Sequence, residues 1–357
     1  MTVLYLHVGM PKTGTSSIQC LLAANRAVLD RHGVAYPDMS DLFDQVSNRR
    51  NAHWLAGDED AGRVREAFGR IRDLAGTHEK IVLSDEMLWK TRVTSNVFWS
   101  GLLESLGDIE LKVAVWLRRQ DKWLYSNWTQ GVQSMTAVDF KTLDFESYLE
   151  RGVPDDSHLD YGATLDAIAR SVGAENVIVG VYEPCQLAGG SSTSDFLAKV
   201  GIDFSDELAK VDRRANPSLR DSVLETKRRL NSYQAFSGTG DLEHSPAFKR
   251  LLFSVQKDLE DEGLLGKRTG FPASERRRLM ERYAAGNEHV ARTYLGRESG
   301  VLFTEEITED EYDVSWKFDE AEIMEVCART IAELEGRLER AREINGKLRA
   351  KSSGEKG

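Results

Sequence analysis

Cysteine is scarce in this sequence: Cys20, Cys185 and Cys327 are the only three among 357 residues, and they are far apart. An odd number at wide spacing excludes a disulfide framework and offers no metal-ligand spacing. Long apolar runs are missing too. No stretch approaches the roughly 18 uninterrupted apolar residues of a membrane span, and residues 3–8 already read as a core strand, leaving no room for a cleavable leader. A cytoplasmic protein is therefore expected. Positive charge is in deficit, with 47 Lys and Arg against 58 Asp and Glu for a formal net charge of −11. That disfavours broad nucleic-acid binding. The basic clusters at Arg213-Arg214, Lys227-Arg228-Arg229 and Arg276-Arg277-Arg278 read as solvated helix faces. What the chain does have is 41% hydrophobic residues, enough for a sizeable core.

Short apolar, β-branched-rich runs at 3–8, 80–84, 111–117 and 177–182 alternate with helical patterns at about 15–32, 60–76, 121–134 and 160–173. This alternation predicts an α/β fold: a P-loop-like, doubly wound parallel sheet flanked by helices, with a mainly helical C-terminal part from about residue 205. Residues 1–305 are read as that domain, 306–350 as a helical extension and 351–357 as a disordered tail. In such sheets ligands sit at the carboxyl ends of strands, where Gly9–Ser17, Ser84–Glu86 and Arg118–Ser126 all fall.

The first of these segments runs from an apolar strand through Gly9-Met10-Pro11-Lys12-Thr13-Gly14 into Thr15-Ser16-Ser17 at a helix start. Glycines permit the tight turn, the first helical N–H groups and the helix dipole attract an anion, and Lys12 adds a mobile positive charge. Thr13, Thr15, Ser16 and Ser17 are hydroxyl donors for phosphate oxygens. Gly9 and Gly14 have the separation of a nucleoside-triphosphate loop, G-x-x-x-x-G-K-[ST], but position 15 is Thr where that motif needs Lys.

Residues 11–16 resemble the 5′-phosphosulfate loop, P-K-[ST]-G-T-[ST], of sulfotransferases that use 3′-phosphoadenosine-5′-phosphosulfate (PAPS). The resemblance implies that Pro11, Lys12, Thr13, Gly14, Thr15, Ser16 and Ser17 cradle the 5′-phosphate, with Lys12 stabilising charge on the bridging oxygen as the sulfuryl group leaves. The family also places an arginine at a strand end and a serine eight residues on, for the 3′-phosphate; Arg118 and Ser126 have that spacing. Leu264–Pro272 resembles the C-terminal cofactor loop of carbohydrate sulfotransferases, which implicates Lys267, Arg268 and Gly270 although the usual Lys-Gly-Arg arrangement is abbreviated. PAPS as donor, 3′-phosphoadenosine-5′-phosphate (PAP) as product and no metal requirement follow from the same resemblance.

A general base must take the acceptor's proton. Some relatives carry a glutamate eight residues beyond the lysine, where this chain has Cys20; cytosolic relatives use a histidine just after the next strand, where this chain has Ser84-Asp85-Glu86. Glu86 is the leading candidate, Asp85 its neighbour and His53 the second choice, with His7 read as a strand histidine packed beneath the loop. Trp54, Trp89, Trp99, Tyr125 and Trp128 are aromatic faces that could stack on sugar rings, so a carbohydrate or glycolipid hydroxyl is the expected acceptor. Two other classes stay open: a nucleotide kinase or hydrolase, suggested by the acidic pair after Ile81-Val82-Leu83, and a non-catalytic scaffold retaining the fold. Finally, Cys327, Ile331, Leu334, Leu338, Ala341, Asn345 and Leu348 follow alternating steps of four and three, a heptad seam that either packs on its own domain or forms a homodimer.

Overall fold

The computed structural model describes residues 2–43, 49–133, 140–151, 156–209, 218–237, 246–265, 271–308 and 319–354. In chain order the strands are β1 (Val3–His7), β2 (Val34–Ala35), β3 (Lys80–Ser84), β4 (Glu110–Leu117) and β5 (Val177–Val181). The helices are α1 (Thr15–Ala24), α2 (Arg26–Arg31), α3 (Ala61–Ala75), α4 (Met87–Thr91), α5 (Asn96–Leu106), α6 (Gln120–Gln133) and α7 (Phe145–Glu150). They continue as α8 (Tyr161–Val172), α9 (Ser192–Lys199), α10 (Asp221–Ser237), α11 (Pro246–Asp261), α12 (Ala273–Arg282), α13 (Ala284–Thr293) and α14 (Glu320–Gly354). Among the described residues no helix is long and apolar enough to cross a membrane.

The chain forms an α/β fold whose five strands are all parallel, in the order β2-β3-β1-β4-β5. Strand periodicity sorts the side chains by face. Tyr5, Val82, Ala114 and Trp116 bury against Ile18 and Leu22 of α1 and Phe196 and Leu197 of α9. Leu4, Leu6, Ile81, Leu83, Val113, Val115 and Leu117 point the other way and are equally buried, on the side covered by α3 and α8. A sheet covered on both faces needs apolar residues at every position, which is why its strands read as continuous runs. The chain leaves β1 toward β2 and β3 but leaves β4 toward β5, so a crevice opens between the carboxyl ends of β1 and β4.

The four strands expected from sequence lie within a residue of their places. The two-residue edge strand β2 was too short to read. The helix expected over 15–32 is broken at Asn25, whose side chain bonds Leu21 O at 2.8 Å and exchanges two hydrogen bonds with Ala209. An asparagine that finds backbone partners off the helix ends it.

By contacts the chain divides into two compact units, Met1–Trp123 with Pro154–Arg213 and Leu279–Glu306, and Leu124–Val153 with Arg214–Arg278 and Ile307–Gly357. A linear partition at 305 does not follow this division. In the second unit α14 packs on α10 and α11: Ile323 and Val326 are buried, as are Leu251, Leu252, Val255 and Leu259 of α11. Distant segments belong together because amphipathic helices bury their stripes on each other, whatever their order in the chain. Helix α14 also runs on to Gly354, through four residues expected to be disordered, because Ala350-Lys351-Ser352-Ser353 contains no breaker.

Gly180 of β5 lies against the Trp116 indole, whose Nε1 donates to Asp195 Oδ2 at 2.7 Å. A Cβ at Gly180 would overlap the ring, so Gly180→Ala is expected to displace Trp116 and destabilise the fold by about 1–3 kcal/mol. Urea unfolding checks this; unchanged stability would show that the indole can shift without losing Asp195.

Candidate functional site

The first unit gathers the expected residues at the carboxyl ends of β1, β3 and β4. Lys12 and Gly14 both take positive φ, 72° and 84°. For a lysine this is a sparsely populated conformation that surrounding contacts must hold. They do so through three successive carbonyls. Met10 O accepts from Thr13 Oγ1 at 2.6 Å, Pro11 O from Trp123 Nε1 at 2.9 Å, and Lys12 O from Arg118 Nη1 at 2.9 Å. Gly14 is required twice, because a Cβ there would also overlap Ser192 on the first turn of α9. Helix α1 then starts at Thr15 with no side-chain cap and no acidic residue in its first turn, which suits an anion.

Thr13 and Thr15 depart from expectation. Both are buried, and their hydroxyls point to Met10 O at 2.6 and 3.5 Å. They brace the turn, so their contribution to an anion is the backbone N–H. Ser16 and Ser17 are exposed. Beside them a cleft of about 490 Å³ is lined by Ser17, Cys20, Ser191, Ser192, Thr193 and Ser194.

Arg118 is half-buried, with its guanidinium 5.6 Å from the Tyr182 ring centroid. Burial pushes its pKa down, opposed by the tyrosines and Asp121, yet an arginine remains a cation at neutral pH. Ser126, its expected partner, is half-buried on the part of α6 that belongs to the second unit. Lys267, Arg268 and Gly270 lie outside the described residues.

At the end of β3, Asn51 ties the preceding segment to the strand by accepting from Ser84 N at 2.8 Å and donating to Val82 O at 3.0 Å. This sets Arg50 and His53 beside Asp85. The Asp85 side chain is fully buried and both oxygens are committed: Oδ1 accepts from Arg50 Nη2 (2.9 Å) and Met87 N (2.7 Å) and Oδ2 from Arg50 Nε (2.8 Å), while His53 Nδ1 lies 3.2 Å from Oδ2 and 3.0 Å from Arg50 Nη2. A carboxylate so committed orients its neighbours and is poorly placed to take a substrate proton, which removes Asp85 from the candidate bases. Glu86 is different. Its side chain is 22% exposed, Oε2 accepts from Gln19 Nε2 at 2.9 Å, and Arg50 Nε lies 3.9 Å away. His53 is 28% exposed, with Nδ1 against Asp85.

The aromatic residues proposed as sugar platforms do not all reach a surface. Trp54, Trp89 and Trp99 are buried, and so is Trp128 in the second unit. Sequence reasoning missed Arg50, Gln19, Tyr182 and Ser192 as parts of this site. Tyr182 had a signal, its place at the carboxyl end of an expected strand. Arg50 had none, since it sits in an irregular polar segment.

No family model matches the chain. A 197-residue stretch is 28% identical to an uncharacterized protein of Archaeoglobus fulgidus, covering 55% of this chain and 49% of that protein. The chain thus spans about half the length of this curated relative. Among solved structures, the crystal structure of a sulfotransferase from Alicyclobacillus acidocaldarius aligns at a TM-score of 0.35 and 15% identity, over 70% of this chain and 96% of that one. Similarity at that level carries no inference about activity.

His7 closes the site from below. It is wholly buried between Trp116 and Phe196, and burial lowers its pKa from 6.5 to about 3. Between those values the unfolded chain binds a proton that the folded chain does not, so stability rises with pH through this window. Falling pH is expected to cost up to about 1.4 kcal/mol per unit below about 6.5, until the folded imidazole protonates near 3. Urea unfolding at pH 7 and pH 5 should show a smaller difference for His7→Gln than for the unmodified protein; equal differences would show that His7 is not the titrating group.

Proposed function

We propose that this protein is a PAPS-dependent sulfotransferase that moves a sulfuryl group from PAPS to a hydroxyl, with a carbohydrate or glycolipid as acceptor. The observation that carries the reading is the turn over residues 10–14: its carbonyls are held by protein donors while Lys12 and the start of α1 flank the strand end. The lysine precedes Gly14, which suits a 5′-phosphosulfate better than the β- and γ-phosphates of a nucleoside triphosphate. In this reading the 5′-phosphate takes the N–H groups and Ser16 and Ser17, while the adenosine has room in the serine-lined cleft. Arg118, Ser126, Lys267, Arg268 and Gly270 serve the 3′-phosphate, a carry-over from the resemblance.

The chemistry needs one base and one charge acceptor. The acceptor hydroxyl attacks sulfur in line with the bridging oxygen; its proton passes to the Glu86 carboxylate as the new O–S bond forms. The old S–O bond breaks toward PAP, and Lys12 stabilises the charge that grows there. Gln19 fixes Glu86 from one side. His53 is the alternative base: its imidazole is 28% exposed, with Nδ1 held 3.0 Å from Arg50 Nη2 and 3.2 Å from Asp85 Oδ2.

Thermal shift should rank PAP above AMP and ATP, because only PAP presents a 3′-phosphate. Arg118 also braces the loop through Lys12 O, so Arg118→Ala weakens both PAP and AMP; the informative quantity is their ratio. That preference should fall by about 1.5–3 kcal/mol, one charge-assisted contact. Equal stabilisation by PAP and AMP, or a preference for ATP with magnesium, would sink the donor assignment.

Single-turnover transfer locates the chemistry. Lys12→Ala is expected to slow transfer more than it weakens PAP binding. Glu86→Gln should lose at least about a hundredfold in transfer while PAP affinity stays within a few-fold. Near-full activity in Glu86→Gln with loss in His53→Ala would move the base to His53.

A further inference from the structure

Helix α14 changes character halfway along. Its first turns are docked within the second unit: Ile323, Val326 and Thr330 are buried, Arg329 pairs with Glu262 through two contacts of 2.7 Å, and Glu320 pairs with Arg229 at 2.7 Å. From Ile331 to Leu348 no residue is buried. Yet Ile331, Leu334, Leu338, Ile344 and Leu348 are 49–59% exposed there, on a segment about 26 Å long. A lone helix of that length is marginal in water, and a row of exposed leucines adds nothing to its stability.

Apart from Ile344, which falls at g, the exposed row is a heptad seam that begins a turn earlier than the sequence reading had it, at Met324, which is 64% exposed. Ile331, Leu338 and Asn345 occupy the a positions and Leu334, Ala341 and Leu348 the d positions. The flanking charges decide how two such seams meet. In a parallel pair Arg337 at g faces Arg342 at e of the other chain, a repulsion repeated on both sides. In an antiparallel pair Ile331 meets Leu348, Leu338 meets Ala341 and Leu334 meets Asn345, the one polar layer, and Glu335 at e faces Arg342 at e twice, with opposite charges. Neither Glu335 nor Arg342 has an ion pair with another described residue, so both are available for this contact.

We propose that residues 331–348 of α14 form a homodimerisation arm that pairs antiparallel with the same segment of a second copy. Large residues opposite small ones, as at Leu338 and Ala341, let the two helices approach closely, and the bodies that carry them stand at opposite ends of the pair. The arm is independent of the donor-site reading, since it uses none of that site's residues.

Sedimentation of the full-length protein across a concentration series tests the arm. The unmodified chain should sediment as a dimer, and Leu338→Asp, a change at an exposed position, as a monomer that keeps its cooperative thermal unfolding. Arg342→Glu should raise the dimer Kd about tenfold by turning two attractions into repulsions, and adding Glu335→Arg should restore it. Three results would overturn the proposal: a monomeric unmodified chain, a Leu338→Asp variant of unchanged mass, or a tighter dimer in Arg342→Glu. The last would mark a parallel pair, in which the new carboxylate faces Arg337.

Discussion

The site depends on where three consecutive carbonyls point. A strand-to-helix turn can present either its N–H groups or its C=O groups to the crevice, and only the first arrangement binds an anion. Here Met10, Pro11 and Lys12 each give their carbonyl to a protein donor, from Thr13, Trp123 and Arg118. The positive φ of Lys12 is the conformational cost of that arrangement, and the three bonds offset it. Tyr161 adds to the bracing by bonding Arg118 O and Met10 Sδ, which ties the end of β4 to the loop after β1. The turn is therefore organised before any ligand arrives, and preorganisation lowers the ordering cost of binding.

Charge balance explains why the neighbouring acidic pair behaves unequally. Two adjacent carboxylates at the carboxyl end of a strand would repel any anion nearby unless compensated. Arg50 forks onto Asp85, and burial and that bond act on the guanidinium in opposite directions, with Asp85 holding its pKa above the ordinary value. The pair is then electrically quiet, and Arg50, reaching Glu86 at 3.9 Å as well, is shared. Glu86 keeps partial exposure, with Gln19 Nε2 at 2.9 Å from its carboxylate. Adjacent residues of like chemistry thus have different surroundings because one faces inward from a strand end and the other begins a helix.

Much of this was legible in the sequence because it follows from periodicity. The strands show as continuous apolar runs, and the crowding of Gly9–Ser17, Ser84–Glu86 and Arg118 at their carboxyl ends follows from a parallel sheet alone. What stayed hidden depends on contacts between segments with no period. Nothing in Arg49-Arg50-Asn51 announces that Asn51 will bond Val82 and Ser84 and so deliver Arg50 to Asp85. The direction of the Thr13 and Thr15 hydroxyls was equally hidden, because a threonine in a turn can serve a ligand or its own backbone with the same composition. The two-unit division was hidden for a third reason: it joins α10, α11 and α14 across long separations in the chain.

His7 shows how the layers beneath the loop are coupled. Gln19 Nε2 donates to Glu86 at 2.9 Å and lies 3.3 Å from Ser84 Oγ, which makes that hydroxyl an acceptor on one side. Ser84 Oγ also lies 2.9 Å from His7 Nδ1, a hydrogen bond whose direction follows the imidazole tautomer. The second imidazole nitrogen, Nε2, is buried with no hydrogen-bond partner, and it lies 3.0 Å from where a Cβ would sit on Gly9. A side chain at Gly9 would press directly on the imidazole, so the first glycine of the loop and the histidine two residues before it form one packing unit. Burial keeps His7 uncharged at neutral pH, and its contact with Ser84, together with the Gln19 contacts to Ser84 and Glu86, links β1, α1 and the end of β3 beneath the loop.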